Sequence, residues 1–117
     1  VPTASPTPST AVNNITVTVS GGKFLINGVS QQTLSLSEGQ TYKLDQSDNS
    51  NSSHPLRFST TSDGTHNAGS EYTTGVTTAG SAGSFGSYTQ ITVNSGAPTL
   101  FYYCANHSGM GGQANTP

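Results

Sequence analysis

Apolar and polar residues alternate along this chain in short runs, and no run sustains the 3.6-residue period of a helix. Ile15-Thr16-Val17-Thr18-Val19 places Ile15, Val17 and Val19 on one face of a strand that Ser20-Gly21-Gly22 ends. Lys23 to Ile26 runs into Asn27-Gly28, the pair favoured where a type I′ hairpin turn needs positive φ at both central residues. A returning strand is expected near Val29 to Leu36, closed by Ser37-Glu38-Gly39, and Thr41 to Leu44 alternates again. Asp45 to Ser53 is a polar loop leading to His54-Pro55-Leu56-Arg57-Phe58-Ser59, where His54 begins a strand with Leu56 and Phe58 on one face. From Thr60 to Gly86 the pattern is irregular, with weak extended pieces around Glu71 to Thr78 and an Ala-Gly-Ser loop at Ala79 to Gly86. Two well-patterned strands follow, Tyr88 to Val93 and Thr99 to Cys104, the second with Leu100, Tyr102 and Cys104 on a shared face. Gly111 to Pro117 lack strand character. About seven short strands separated by turns predict an all-β fold, a Greek-key antiparallel β-sandwich. There is no internal repeat.

The 117 residues suit one domain with one core. The first eleven, VPTASPTPSTA, carry three prolines among Ser, Thr and Ala, which is linker chemistry. The division expected is therefore a linker at 1–11 and a globular domain at 12–117, with something attached upstream. Charged residues make up 7% of the chain and the net charge is −2, which leaves no basic footprint for nucleic acid and no polybasic run for a membrane surface. No stretch reaches the length of a membrane-spanning helix, so no membrane insertion is expected. A neutral, hydrogen-bonding surface suits an extracytoplasmic setting, and the isolated domain is expected to be a monomer.

One cysteine cannot form an internal disulfide, and a lone thiol outside the cytoplasm is an oxidation liability unless something occupies it. The only cysteine and the only methionine fall within seven residues, Cys104-Ala105-Asn106-His107-Ser108-Gly109-Met110, with a histidine between them. In the spacing C-x2-H-x2-M a thiolate, an imidazole and a thioether can converge on one ion. Upstream His54 would complete a His2Cys set with a weak axial Met, the combination that suits a copper electron-transfer centre. Cys104 ends a strand at the sheet rim, Gly109 lets the loop fold back, and a distant strand start at the same pole brings His54 close. Taken singly, Cys104 reads equally well as a buried small hydrophobe, Met110 as a gap-filler and His107 as a polar loop residue. Their conjunction favours metal ligation, with copper ahead of zinc.

The run Phe101-Tyr102-Tyr103-Cys104-Ala105-Asn106-His107-Ser108-Gly109-Met110 resembles the ligand loop of the cupredoxins, the small blue copper proteins, in its short, amicyanin-like form. Glu38-Gly39-Gln40-Thr41-Tyr42-Lys43-Leu44 resembles the strand start that precedes the first ligand histidine there. The resemblance covers roughly residues 15–110 and implies a cupredoxin-type sandwich or barrel. It implies one copper ion cycling between Cu(I) and Cu(II), His54 and His107 as equatorial imidazoles, Cys104 as thiolate and Met110 as axial ligand. The stretch HPLRFSTTSDGTHNAGSEYTTG from His54, together with YYCANHSGMGG, is also similar to cupredoxin-like modules of large marine bacterial and phage surface or virion proteins. That likeness implies a place within a larger parent chain, on a cell surface or virion, with no evident redox partner.

Two departures from the family pattern stand out. An Asn usually follows the first ligand histidine and donates its backbone N–H to the thiolate, whereas Pro55 has no N–H to give. A thiolate lacking that bond is more electron-rich, which favours Cu(II) and lowers the reduction potential. The weak residues after Met110 also leave the family's last strand in doubt.

His66, in Asp63-Gly64-Thr65-His66-Asn67, reads as a surface histidine. Tyr103 points away from the Cys104 sulfur; it reads either as a sheet-surface aromatic paired across strands or, by the resemblance, as a surface route for electrons. Glycosylation triplets at Asn14, Asn51 and Asn106 are expected by chance in so Asn- and Ser-rich a chain. No Ser-His-Asp set, paired carboxylates or phosphate cradle stands out, and four filled ligand positions argue against an open catalytic metal, so the chain does not read as an enzyme. The expected function is one-electron transfer by a mononuclear type 1 copper; the alternative is a structural or interaction module that binds copper without a redox role.

Overall fold

The computed structural model describes residues 12–116; the expected linker at 1–11 lies outside the described residues. The described residues form strands β1 (Val12–Ser20), β2 (Lys23–Ile26), β3 (Val29–Ser30), β4 (Leu34–Ser35), β5 (Thr41–Asp45), β6 (Leu56–Ser59), β7 (Glu71–Tyr72), β8 (Val76–Ala79), β9 (Tyr88–Thr92), β10 (Leu100–Cys104) and β11 (Gly112–Asn115). Two 3₁₀ turns, Asn49–Asn51 and Gly64–Asn67, interrupt the connections. The strands make a two-sheet sandwich, one sheet in the order β3-β2-β1-β5-β9-β8 and the other β4-β11-β10-β6-β7.

The alternating runs become strands because each must bury one face. Opposite partners bring like to like: Val17 faces Ile26, Ile15 faces Leu44, Tyr102 faces Phe58 and Leu100 faces Ala114. The core combines Ile15, Val17, Phe24, Ile26, Leu44 and Ile91 from the first sheet with Leu56, Phe58, Leu100, Tyr102 and Cys104 from the second. The Asn27-Gly28 hairpin is present as expected, with φ of 50° and 87° and Ile26 paired to Val29.

Four expectations are corrected. The single strand expected over Val29 to Leu36 is two strands in different sheets. Val29 and Leu34 are an odd number of residues apart, so one pleated run cannot turn both inward. The chain breaks at Gln31, with φ 49°; Val29 stays half exposed while Leu34 and Leu36 enter the core. The extended region around Glu71 to Thr78 likewise splits, β7 joining one sheet and β8 the other across Gly75, φ 71°. The sandwich is not wholly antiparallel, since β1 pairs in parallel with β5 and β4 with β11. Last, the segment after Met110 is a strand. β11 lies between β4 and β10 and buries Ala114 against Leu34 and Leu100. An apolar signal of one small residue sufficed because the site it fills is small.

These burial assignments predict that Leu100→Ala, which empties a fully enclosed position, costs about 3 kcal/mol. Val29→Ala, at a half-exposed edge, should change stability by no more than about 0.5 kcal/mol. Urea unfolding of both variants gives the comparison.

Candidate metal centre

The site begins with a register. β10 and β6 run antiparallel with Cys104 opposite Leu56, and beyond the last pair the Ala105 N–H donates to the Pro55 carbonyl at 3.0 Å. That pairing brings the residue two before β6, His54, alongside the end of β10. The short loop then turns back over the rim and carries His107 to the same point. Nδ1 of His54 lies 3.7 Å from the Cys104 Sγ, and Nδ1 of His107 lies 3.6 Å from it. The candidate donor atoms of the three residues all fall within 4.8 Å of one another. The two imidazole rings sit 4.6 Å apart, tilted by 50°. Cys104 is buried, His54 is half-buried and His107 is exposed.

Backbone contacts hold the loop from several sides. Asn106 Nδ2 donates to the Ser53 carbonyl at 3.0 Å, tying the Cys104–His107 turn to the segment that carries His54. The Gly109 N–H donates to Asp63 Oδ1 at 2.9 Å, while Lys23 Nζ donates to the Gly109 carbonyl at 2.8 Å. Gln31 Nε2 reaches the Gly111 carbonyl at 2.7 Å, and the Phe24 N–H reaches the Met110 carbonyl at 3.0 Å. Met110 is buried in the same apolar cluster as Cys104. Gly111 cannot be larger, because a Cβ there would collide with the Tyr102 carbonyl oxygen.

Burial, reinforced by repulsion from His107, holds the His54 pKa below the ordinary histidine value. Both effects favour the neutral imidazole, which is the ligating form. The amides flanking Pro55 are engaged by oxygens: His54 N–H on the Asn51 carbonyl, Leu56 N–H on Gln46 Oε1 and Ala105 N–H on the Pro55 carbonyl. A thiolate, two imidazoles and no carboxylate make a donor set suited to copper.

The structure brings the candidate donor atoms of His54, Cys104 and His107 together and buries Met110 in the core cluster that includes Cys104. Two neighbouring residues differ from expectation. Tyr103 is not a sheet-surface aromatic. It is buried beneath the Gly64–Asn67 turn, whose Gly64 lies so close to the ring that a Cβ would sit 2.5 Å from it. His66 is exposed, as expected for a surface histidine, yet its Nε2 lies 2.7 Å from the Cys104 carbonyl and its ring meets Tyr103 edge-on. The sequence offered one hint of this cover: a long irregular segment of small turn residues must fold over something. Asn51, one of the discounted glycosylation positions, is wholly buried.

No protein-family model matches this sequence, and no curated protein matches it. Among solved structures, reduced rusticyanin superimposes over 93% of this chain and 81% of its own, with TM-score 0.52 and 17% sequence identity. Rusticyanin is a cupredoxin, and the chain has the cupredoxin fold. The likeness is one of fold; the candidate centre rests on this chain's own side chains, and the His54-Cys104-His107 cluster supports a single copper ion.

Two outcomes follow from this geometry. Because the folded His54 pKa is lowered, the unfolded chain takes up its proton first as pH falls. Stability from this group is complete above about pH 6.5, the free imidazole value, and is lost as pH drops below it toward the lower folded value. Metal-free protein should therefore melt at a lower temperature at mildly acidic pH than at neutral pH; a flat profile would contradict the assigned direction. Gly64→Ala should cost about 1–3 kcal/mol by forcing the turn off Tyr103, measurable by urea unfolding.

Proposed function

We propose that the protein is a mononuclear type 1 copper protein that passes single electrons, and that His54, Cys104, His107 and the Met110 thioether would hold the ion. The observation that carries this reading is the convergence of two imidazole Nδ1 atoms on one buried sulfur at the rim of a cupredoxin-type sandwich. Copper bound there supplies a one-electron couple, Cu(II)/Cu(I). The chain's residues supply the rest. Cys104 is anchored in the sheet and buried, so its sulfur is shielded from water and from oxidation. His54, half-buried and kept neutral, closes the inner side of the site. His107 is exposed and presents the outlet through which a partner exchanges electrons. The contacts of Lys23, Gln31, Asp63 and Phe24 with the Gly109–Gly111 backbone restrain the loop, so that a change of charge at the centre moves the donors little.

The neutral, hydrogen-bonding surface supports an extracytoplasmic location, with a redox protein or a parent chain as partner. No helix among the described residues is long and apolar enough to cross a membrane. Filled donor positions support an electron carrier rather than an enzyme.

One equivalent of Cu(II) should produce intense thiolate-to-copper absorption in the visible, with a reversible voltammetric wave. Binding without such a wave would favour a copper-stiffened structural module instead. Cys104→Ser should abolish the colour while circular dichroism shows the sandwich intact; a coloured variant refutes the ligand assignment. Pro55→Asn, which restores an N–H at the position next to His54, should raise the reduction potential. A fall or no change would overturn the account given for Pro55.

A further inference from the structure

Two carboxamides are enclosed behind the metal pole, outside the donor set: Gln46, 2% exposed, and Asn51, 0% exposed. Gln46 follows directly on β5. Its Nε2 donates to the His54 carbonyl at 2.7 Å and to Asn51 Oδ1 at 3.2 Å, and its Oε1 accepts from the Leu56 N–H at 2.9 Å. A flipped amide would set NH2 against the Leu56 N–H, so the hydrogen-bond pattern defines its orientation. Asn51 completes the ring: its carbonyl accepts the His54 N–H at 2.7 Å, and its Nδ2 donates to the Val17 carbonyl of β1 at 2.8 Å. Between His54 N and Leu56 N, every backbone polar group ends on this pair except the Pro55 carbonyl, which takes the Ala105 N–H.

In a continuous strand these groups would be held by a neighbouring strand. β7, however, reaches only Phe58 and Ser59 of β6, and Pro55 removes a donor. A buried carboxamide is unfavourable unless fully bonded, and an apolar residue would fill the same space at less cost if filling were its only task. The geometry points to Gln46 as a positioning residue for the metal centre: its side chain clamps the His54-Pro55-Leu56 backbone and sets the His54 imidazole against Cys104 before any ion arrives. This deepens, and rests on, the copper reading of the site. One end of the clamp runs through Asn51 to β1 and the other grips the first residue of β6, so His54 is referenced to both sheets.

The test has two arms. In metal-free wild-type protein, amide exchange followed by NMR should show the Leu56 N–H strongly protected, and Cu(I) should add little to that protection. A Leu56 amide that exchanges like an exposed one overturns the proposal, whether or not the protein binds copper. In the second arm, Gln46→Met keeps the shape without the bonds. Its Cu(I) affinity, measured by competition with a chromophoric chelator, should fall by about 10- to 100-fold, and the ratio of its Cu(II) thiolate bands should shift. Gln46→Glu keeps the acceptor for Leu56 and loses the donor to His54; it should fall between, and it replaces the methionine variant if that one does not fold. Val93→Ala removes buried core at the opposite end of β9 and should leave affinity and spectrum as they were. Parental affinity and spectrum in the Gln46 variants, or equal losses in Val93→Ala, overturn the assignment. Failure of wild-type protein to show thiolate-to-copper absorption would instead remove the copper reading, leaving the exchange arm to decide the clamp.

Discussion

The pairing of β6 with β10 is the constraint on which the rest depends. Cys104 stands opposite Leu56, and the Ala105 N–H closes on the Pro55 carbonyl. A slip of one residue would turn Cys104 outward and carry His54 along the rim away from it, because side chains alternate with a period of two. The apolar pattern makes that slip prohibitive: Tyr102 with Phe58 and Cys104 with Leu56 are all buried in one core, and a slipped strand would expose them together. The approach of the candidate donors is thus specified by hydrophobic burial in the sheet rather than by any affinity between the donors themselves.

Burial grades across the centre and divides its labour. The sulfur sits in the sheet, the first imidazole half outside it and the second in solvent. Two imidazoles brought this close repel each other when protonated, and burial of His54 adds to that penalty. Both effects favour the neutral His54 imidazole, the form that can bind a cation. The surrounding polar groups are nonetheless bonded: among the described residues, no buried side-chain nitrogen or oxygen lacks a partner. Interior polarity at this pole therefore serves placement, with Gln46 and Asn51 on one side of His54 and Thr89 Oγ1 donating to the Leu56 carbonyl on the other.

What could be read in the chain followed where the signals were local. The Asn27-Gly28 hairpin, the strand faces of Ile15, Val17, Leu56, Phe58 and Leu100, and the convergence of His54, Cys104 and His107 all rest on spacing that a reader can count. The failures are equally physical. Parity between Val29 and Leu34 excludes a single strand through both, a signal visible only when the two are counted together. β11 carries a single inward alanine, too little periodicity to register, and its existence depends on the gap between β4 and β10. For Tyr103, alternation alone indicates the surface, since it sends the ring away from Cys104. It does point away, but the Gly64–Asn67 turn covers the face it points to. Gln46 looked like any other residue of a polar loop, since nothing in its neighbours shows that the amide turns inward.

The loop from Cys104 to Gly111 also closes the fold. Leaving Cys104 at the end of β10, the chain has only the residues up to Gly111 in which to reverse and enter β11, which must lie antiparallel to β10 and parallel to β4. Within that turn the Met110 carbonyl accepts the Phe24 N–H from β2, a strand of the opposite sheet, and Lys23 Nζ donates to the Gly109 carbonyl next to it. Gly111 then passes the Tyr102 backbone too closely for any side chain. The Met110 contact with β2 and the close pass of Gly111 fix where the chain re-enters the sheet, so the exit from this pole and the packing of the two sheets are set by the same few atoms. A strand as weakly apolar as β11 is thus placed by its anchored entry and by backbone pairing on both sides, with Ala114 filling the space between Leu34 and Leu100.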